Sequence, residues 1–341
     1  MVEPVFEIDW LTVLIGVILT VVFTLAVRYV AVRRNWMDQP GPDRIHTVPV
    51  PRLGGLAMYA AFLATVLIVR WPLSGHVIGL LLGATVLVFL VVIDDVRGLR
   101  ARTKFLAQLV AAAIPVAFGL RINAVSNPFE ASVIVLHLVI VIPFTLFWIT
   151  GMMNAINFLD GIDGLAGGVV AIAAVVLVVV SLRLGLPDVA TLALALVAVV
   201  IGFLPFNLYR ASIIMGDAGS NFLGFAIAVI AIMGPAKLAT AILVLGVPIL
   251  DVAWSIGRRV MRGRGIGDRD VEHLHHRLWE AGVSQPAIVV MYCALAGVLG
   301  LMALLVERLD KFYAFLALAG FMTILLALLA RMPRRRRIRR V

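Results

Sequence analysis

Apolar runs long enough to cross a bilayer follow one another along this chain, with short polar stretches between them. A membrane-spanning helix needs about 20 mostly apolar residues. The pattern predicts eleven such helices, so an all-α, polytopic transmembrane bundle is expected. Their expected bounds are residues 10–32, 53–71, 76–93, 105–121, 132–150, 164–183, 189–207, 219–234, 236–257, 286–306 and 312–331.

Two of the predicted spans have distinctive ends. The eighth span is short, and it meets the ninth in a tight junction at Gly234-Pro235. The first span is not expected to be a cleavable signal peptide, because Glu3, Glu7 and Asp9 precede it and its apolar run is too long. No internal repeat is found, and residues 1–341 are expected to form a single integral membrane domain.

Composition supports the same class of protein. Hydrophobic residues make up 62% of the 341 positions and charged residues only 14%, whereas soluble domains carry about 25% charged residues. The bilayer is therefore expected to be the solvent of most of the surface. The single cysteine, Cys293, lies in an apolar run and excludes an intrachain disulfide.

The basic residues predict how the bundle is oriented. With the N-terminus outside and the C-terminus in the cytoplasm, 23 of the 29 Lys and Arg residues flank cytoplasmic loops or the C-terminal tail. The positive-inside rule favours this orientation. The net charge of +10 is thus explained by orientation, and no nucleic-acid partner is expected. The six basic residues left outside are Arg70, Arg121, Arg183, Lys237, Arg308 and Lys311.

Polar clusters fall in the connections predicted to be cytoplasmic, whereas the external connections are short and contain few of them. A carboxylate in hydrocarbon costs about 2.5–3.5 kcal/mol, so such residues near a membrane face indicate a functional site. The active site is expected to be formed by the five loops 33–52, 94–104, 151–163, 208–218 and 258–285.

The first two clusters contain candidate phosphate and cation ligands. In the first loop, Arg44, His46 and Arg52 suit phosphate binding, with a purely basic topology loop as the alternative, and Gly54-Gly55 allows close backbone approach at the start of the next span. Asp94-Asp95 ends the third span, where the helix dipole disfavours anions. Either a divalent cation or the neighbouring Arg97, Arg100, Arg102 and Lys104 must offset that repulsion.

The third cluster has the most distinctive spacing. Asn154, Asn157, Asp160 and Asp163 recur at intervals of three, and Gly161 and Gly164 predict that the helix breaks near Asp160. The two asparagines then share a face at the end of the fifth span, and the two aspartates lie in the turn or at the start of the sixth. Such residues suit nucleoside recognition and oxygen ligation of hard cations.

Two further clusters follow. Asn207 and Asp217 flank the next loop, and Asp217 is expected to cap the eighth span. In the long loop, His273 and His276 share a face if the segment is helical, and His275 points elsewhere. Three His in four residues could also bind zinc, but no cysteine accompanies them. Asp251, within the ninth span, either faces the site or pairs with a polar neighbour.

Taken together, these clusters resemble the polyprenyl-phosphate N-acetylhexosamine-1-phosphate transferase family of MraY and WecA/TagO type. The resemblance covers nearly the whole chain, with matching stretches at 46–55, 94–104, 154–164, 207 with 216–220, and 273–277. The His-Leu-His-His-Arg form of the last stretch is similar to the branch that uses UDP-N-acetylglucosamine. The branch that uses UDP-N-acetylmuramoyl-pentapeptide remains the alternative.

The resemblance implies a reaction and its cofactor. The lipid phosphate attacks the β-phosphorus of a UDP-sugar, and UMP leaves, as the first membrane step of cell-envelope glycan synthesis. The implied cofactor is Mg²⁺, with Mn²⁺ as the alternative, and the implied location is the plasma membrane. A homodimer is one alternative for the oligomeric state. A route through a covalent phospho-sugar enzyme stays open, as does a polytopic transporter as a different class of function.

The resemblance also implies roles for individual residues. Asp217 is the first choice as metal ligand, together with Asn157. Asp94 and Asp95 act near the lipid phosphate, and Arg52 and Lys104 steer it. The donor is implied to be bound or acted on by Asn154, Asn157, Asp160, Asp163, Asn207, His273, His275, His276 and Arg277, among which His275 and His276 are implied to be catalytic.

Overall fold

The structure is a computed structural model. It describes residues 8–40, 48–97, 101–127, 129–130, 132–234, 237–263, 273–306 and 308–331. The candidate phosphate ligands Arg44 and His46, together with Arg100, lie outside the described residues.

Helices make up almost all of the regular structure. Two short antiparallel hairpins accompany them, β1 (Met37–Asp38) with β2 (Val50–Pro51) and β3 (Ala124–Ser126) with β4 (Val133–Val135). The helices of the described residues are α1 (Trp10–Arg33), α2 (Gly54–Val69), α3 (Gly75–Arg97), α4 (Ala101–Ala117), α5 (Leu138–Leu159), α6 (Leu165–Arg183), α7 (Pro187–Asn207), α8 (Gly216–Ile232), α9 (Lys237–Val244), α10 (Gly246–Met261), α11 (Leu274–Glu280), α12 (Gln285–Leu305) and α13 (Arg308–Arg331).

The predicted all-α, multi-pass membrane fold is confirmed. Among the described residues, seven helices are long and apolar enough to cross a membrane, namely α1, α3, α5, α6, α7, α12 and α13. Counting the bent pair of α9 and α10 as one span raises the number to eight, and α2 and α8 are shorter apolar helices. Large apolar side chains such as Leu14, Ile18 and Val22 of α1 are exposed on the outside of the bundle, as lipid contact requires.

Two of the predicted spans differ from the structure in their bounds or direction. The segment 236–257 is not one helix, because α9 ends at Val244 and α10 turns away from it by 75°. Pro248 explains the break, since it has no N–H to donate to the carbonyl of Val244. The segment predicted at 132–150 begins as strand β4, whose β-branched Val133, Ile134 and Val135 favour extended backbone, and the helix runs instead over Leu138–Leu159.

Helix α8 is the central element of the bundle. Its residues from Ala218 to Ala231 are buried, and it packs against α2, α3, α5 and α6. The start of α2 lies directly on it. Gly55 donates its N–H to the carbonyl of Met215 at 2.8 Å, and a Cβ on Gly55 would overlap the backbone of Gly219. The close backbone approach predicted for Gly54-Gly55 is therefore confirmed, and it fixes α2 beside the first turn of α8.

Candidate active site

A cavity of about 600 Å³ lies at the end of the bundle where α5 and α7 end and α6 and α8 begin. Four of the five predicted loops supply its wall. The wall residues are Asp38, Val48, Val50, Arg52, Asn157, Phe158, Asp160, Gly161, Ile162, Asp163, Asn207, Tyr209, Arg210, Ala211, Ile214, Gly216, Asp217, His273, His276 and Gln285. Loop 94–104 supplies none of these wall residues, but its Asp95 holds the start of α8.

The side chain of Asp95 is buried and caps α8 from a different helix. Its Oδ1 accepts the N–H of Asp217 at 3.1 Å, and its Oδ2 accepts the N–H of Ala218 at 3.0 Å. The first N–H groups of a helix have no partner within the helix, and the positive end of the dipole favours an anion there. Gly216 permits this contact, because its φ is +68° and a Cβ would lie 3.0 Å from Asp95 Oδ2.

This contact corrects the predictions for loop 94–104 and for Asp217. The residue at the N-cap position of α8 is Met215, which gives no side-chain cap, and Asp217 lies in the first turn of the helix. Helix α3 also continues past the two aspartates to Arg97. Both oxygens of Asp95 are engaged, which argues against direct contact between Asp95 and a substrate.

Basic side chains neutralise this acidic part of the site. Arg52 lies between two carboxylates, with its Nε 3.4 Å from Asp38 and its Nη2 3.8 Å from Asp95. Lys104 pairs with Asp217 through Nζ, which is also 3.9 Å from Oδ2 of Asp94. Of the neighbouring basic residues predicted to offset the carboxylate repulsion, Lys104 takes this role, and Arg52 from another loop adds to it.

The break predicted near Asp160 is confirmed. Helix α5 ends at Leu159 with Asp160 as its C-cap, and α6 begins after Gly164, whose φ is +77°. Asn157 lies in the last turn of α5, and its Oδ1 is 2.7 Å from the hydroxyl of Ser220 in α8. Asn157 and Asp160 both lie on the cavity wall.

Asp163 and Asn207 join two loops of the site. Asp163 accepts the N–H of Ala211 at 3.0 Å. The buried Asn207 accepts the N–H of Gly164 at 3.2 Å and donates to the carbonyl of Ile213 at 3.2 Å. Both side chains reach the wall, but their hydrogen bonds also hold the α5–α6 turn against the α7–α8 loop.

Asn154 occupies a different position from the one predicted. Its Nδ2 donates to Gln108 Oε1 at 3.0 Å, and Gln108 in turn donates to Asn221 at 2.6 Å. These amides connect α4, α5 and α8 in the interior, and Asn154 is absent from the cavity wall. Its hydrogen bonds support a packing role in place of the predicted contact with the donor.

The histidines are divided as the spacing predicted. His273 and His276 lie on the wall, and His275 is completely buried beneath it. His275 lies between the other two rings, 5.9 Å from His273 and 4.3 Å from His276 by ring centroids. Its ring nitrogens have no hydrogen-bond partner among the described residues. This burial argues against direct contact between His275 and a substrate. Nη1 of Arg277 lies 3.9 Å from Oε2 of Glu280.

Burial lowers the pKa of His275 well below its usual 6.5, and the neighbouring His276 and His273 lower it further. The folded protein therefore holds His275 neutral, whereas the unfolded chain protonates it as the pH falls. A depressed pKa makes its contribution complete above about pH 6.5, with loss as the pH falls below that value. We expect thermal stability in detergent to decrease between pH 7 and 5, and to decrease less in His275→Phe. The exposed His76→Gln variant should retain the wild-type slope, and an unchanged slope in His275→Phe would exclude this source.

Gly161 gives the histidines their space. A Cβ at this position would lie 2.6 Å from Nε2 of His275 and 3.3 Å from Nε2 of His276. We expect Gly161→Ala to destabilise the protein by about 1–3 kcal/mol through overpacking and to reduce activity by displacing His276. Gly151→Ala is the matched control, because a Cβ there meets nothing within 4 Å. Its unfolding in detergent should be unchanged or slightly delayed, and equal effects of the two variants would contradict the steric argument.

Sequence reasoning missed several residues of the site. Asp38 stood within the first polar loop but showed no distinctive spacing, and Tyr209 and Arg210 followed Asn207 without a pattern. Gln108 lay inside an apolar run, where a polar residue in a membrane helix was itself a signal.

Asp251 pairs with a polar neighbour, which was one of its two predicted alternatives. Its Oδ2 is 3.1 Å from Nδ1 of His273.

The donor set fits a magnesium ion. Asp217 is partly exposed on the wall, Asn157 lies nearby, and both offer oxygen. Within the described residues no group of three or more His, Cys, Asp or Glu side chains is arranged to hold a metal by itself. Mg²⁺ is usually bound through one or two carboxylates together with substrate phosphates. The Lys104 ammonium already pairs with Asp217, which shows that this carboxylate attracts a cation.

Known proteins are similar to most of this chain. Residues 77–235 match the glycosyl transferase family 4 profile. A probable undecaprenyl-phosphate N-acetylglucosaminyl 1-phosphate transferase of Bacillus subtilis is 32% identical over 286 residues, which cover 82% of this chain and 80% of the relative. The decaprenyl-phosphate N-acetylglucosaminephosphotransferase of Mycobacterium tuberculosis H37Rv is 33% identical over 326 residues, or 85% of this chain and 80% of the relative. An undecaprenyl-phosphate alpha-N-acetylglucosaminyl 1-phosphate transferase of Escherichia coli K12 is 28% identical over 302 residues, with coverages of 83% and 81%.

The bundle, its terminal cavity and these similarities define a multi-pass membrane enzyme that transfers a glycosyl 1-phosphate group. The chain belongs to the polyprenyl-phosphate N-acetylhexosamine-1-phosphate transferase family, in its WecA/TagO-type branch. The family resemblance found in the sequence is thereby confirmed.

Proposed function

We propose that this chain transfers N-acetylglucosamine 1-phosphate from UDP-N-acetylglucosamine to a polyprenyl phosphate and releases UMP. The observation that carries the proposal is Asp217, held at the start of α8 by Asp95 and exposed to a polar cavity wide enough for a nucleotide sugar. The names of the relatives above support the choice of sugar and acceptor.

In the proposed reaction an oxygen of the lipid phosphate attacks the β-phosphorus of the donor. A new P–O bond forms, the bond from the β-phosphorus to the bridging oxygen breaks, and UMP leaves with its electrons. Such transfer chiefly needs positioning and neutralisation of charge. Mg²⁺ bound through Asp217 and Asn157 would supply part of that neutralisation. Arg52 and Lys104 are placed to attract the lipid phosphate beside this position.

The remaining wall residues are proposed to hold the donor. Asp160 and Asp163, at the turn after α5, face the cavity with acceptor oxygens for the nucleoside. His273 and His276 present ring nitrogens on the side of α11. Asp94 is proposed to orient or deprotonate the lipid phosphate. It lies near Lys104, although it is not among the residues of the cavity wall.

The orientation of the bundle is also a proposal. We infer that α2, α4, α8 and the bent pair of α9 and α10 complete the eleven spans and that the cavity faces the cytoplasm of the plasma membrane. The concentration of Lys and Arg in the loops around the cavity supports this orientation. A cytoplasmic cavity gives the enzyme direct access to a water-soluble nucleotide sugar, whereas the acceptor stays in the membrane. A homodimer remains an alternative to a monomer.

The decisive test is UMP release by the purified protein in detergent with undecaprenyl phosphate and Mg²⁺. We expect release with UDP-N-acetylglucosamine, abolition by EDTA, and no release with UDP-N-acetylmuramoyl-pentapeptide. Release with the second donor only would keep the reaction class and overturn the choice of sugar. No release by folded protein with any UDP-sugar would overturn the proposed reaction and favour transport.

A further inference from the structure

Asp251 of α10 is a buried carboxylate that has no place in the transfer reaction described above. It is only 2% exposed, and both of its oxygens contact the start of α11. Its Oδ2 lies 3.1 Å from Nδ1 of His273, and its Oδ1 accepts the N–H of Leu274 at 3.0 Å. His273 is the N-cap residue of α11 and provides no side-chain cap itself, so Asp251 takes over that role.

The contact determines which nitrogen of His273 carries hydrogen. An ionised carboxylate only accepts hydrogen bonds, so Nδ1 must be the donor. Nε2 is then a hydrogen-bond acceptor in the neutral ring, and it is buried without a hydrogen-bond partner among the described residues. His273 lies on the cavity wall, and its ring is stacked on Phe158 with 4.6 Å between centroids. The stacking on Phe158 thus fixes the plane of the ring, and the contact with Asp251 fixes which nitrogen carries hydrogen.

The surroundings of Asp251 support a directed role. Ser255 of α10 is 3.5 Å from Nδ1 of His273 and is itself 3.5 Å from an Nη of the buried Arg258. Tyr292 of α12 is also buried and lies close enough to interact electrostatically with Asp251. An asparagine would suffice to cap α11, but it would not guarantee a hydrogen on Nδ1.

We propose that Asp251 is a positioning residue for the nucleotide sugar, which acts through His273 by fixing the orientation of this ring and the first turn of α11 at the cavity wall. The proposal rests on the function proposed above. The bend between α9 and α10 is what brings Asp251 to α11, because the two helices differ in direction by 75°. The positioning of His273 thus depends on a helix that contributes no residue to the cavity wall among those described.

A double-mutant cycle tests whether Asp251 acts through His273. We expect Asp251→Asn to lower kcat/KM for the donor by about 10–100-fold. In a His273→Ala background, the same substitution should change kcat/KM by less than about threefold, because the side chain it acts through is gone. Asp188→Asn, in an exposed ion pair with Arg70, is the control and should leave activity unchanged. Effects of Asp251→Asn that are equal in the two backgrounds would overturn the proposal.

A spectroscopic measurement keeps the proposal testable if a variant fails to fold. In wild-type protein labelled with nitrogen-15 histidine, the signal lost in His273→Ala should report a hydrogen on Nδ1. A hydrogen on Nε2 alone would overturn the pairing whatever the activity. If the wild type shows the expected tautomer but releases no UMP, the proposed function fails and the role of Asp251 in transfer fails with it. If UMP is released but Nδ1 lacks hydrogen, only the role of Asp251 fails.

Discussion

Asp95→Ala should destabilise the folded protein by about 2–4 kcal/mol and abolish transfer. The substitution leaves two buried N–H groups at the start of α8 without an acceptor, each worth about 1–3 kcal/mol. It also removes a carboxylate from the vicinity of Arg52, whose Nη2 lies 3.8 Å away. Because α8 is the central helix, the loss is expected to reach α2 and α3 as well. Unfolding in detergent, followed by loss of the monodisperse peak on heating, measures the first effect.

Asp94→Ala is the matched control, one residue away. Oδ2 of Asp94 lies 3.9 Å from Nζ of Lys104, and neither N–H group bonded by Asp95 depends on Asp94. Its loss should therefore destabilise the protein less than the loss of Asp95, although activity can still fall. Asp95→Asn should be intermediate, because one amide oxygen can accept one of the two N–H groups. Equal destabilisation by Asp94→Ala and Asp95→Ala would show that the cap is not the main function of Asp95.

Asp217→Asn should reduce UMP release by about 1,000-fold or more while the protein remains folded. The carboxylate is the proposed metal ligand, and neutralisation of the diphosphate is worth several kcal/mol in such reactions. Asp217 lies in the first turn of α8 on the cavity wall, and its backbone N–H keeps its bond to Asp95 in the variant. Thermal stability should therefore change by no more than about 1 kcal/mol.

The response of Asp217→Asn to Mg²⁺ distinguishes the loss of a metal ligand from general disruption of the active site. Raising the Mg²⁺ concentration should not restore Asp217→Asn, whereas Asp188→Asn, at an exposed ion pair with Arg70, should behave as wild type. Isothermal titration with Mg²⁺ and a UDP-sugar should show weaker metal binding by Asp217→Asn. Activity within about tenfold of wild type would mean that another residue holds the metal.

Local patterns predicted the parts of the site that depend on neighbouring residues. Gly161 and Gly164 indicated the break after α5, and the interval between His273 and His276 placed both on one side. The glycine pair at the start of α2 correctly indicated close packing. In each case a backbone requirement within a few residues determines the structure, so a single sequence is enough to show it.

The parts that failed depend on contacts between distant positions. Asp95 was interpreted with Asp94 as a repelling pair, because nothing nearby shows that it caps a helix 121 positions further along. Asn154 belongs to a regular series of polar residues, yet Gln108 of another helix engages its side chain. The bend before α10 had a local signal in Pro248, but its flanks are apolar enough to be interpreted as one span.

The hydrogen bonds of Asp163 and Asn207 have a consequence for how the site opens. They bind the α5–α6 turn to the segment between α7 and α8, and Asp95 binds the start of α8 to α3. The amide groups involved lie at loops and helix ends, where exchange with solvent is ordinarily fast. Here each is held by a side chain from another element, so these segments form one cooperative unit with the centre of the bundle. Exchange of their amide hydrogens should then require a larger opening of the bundle than local fraying.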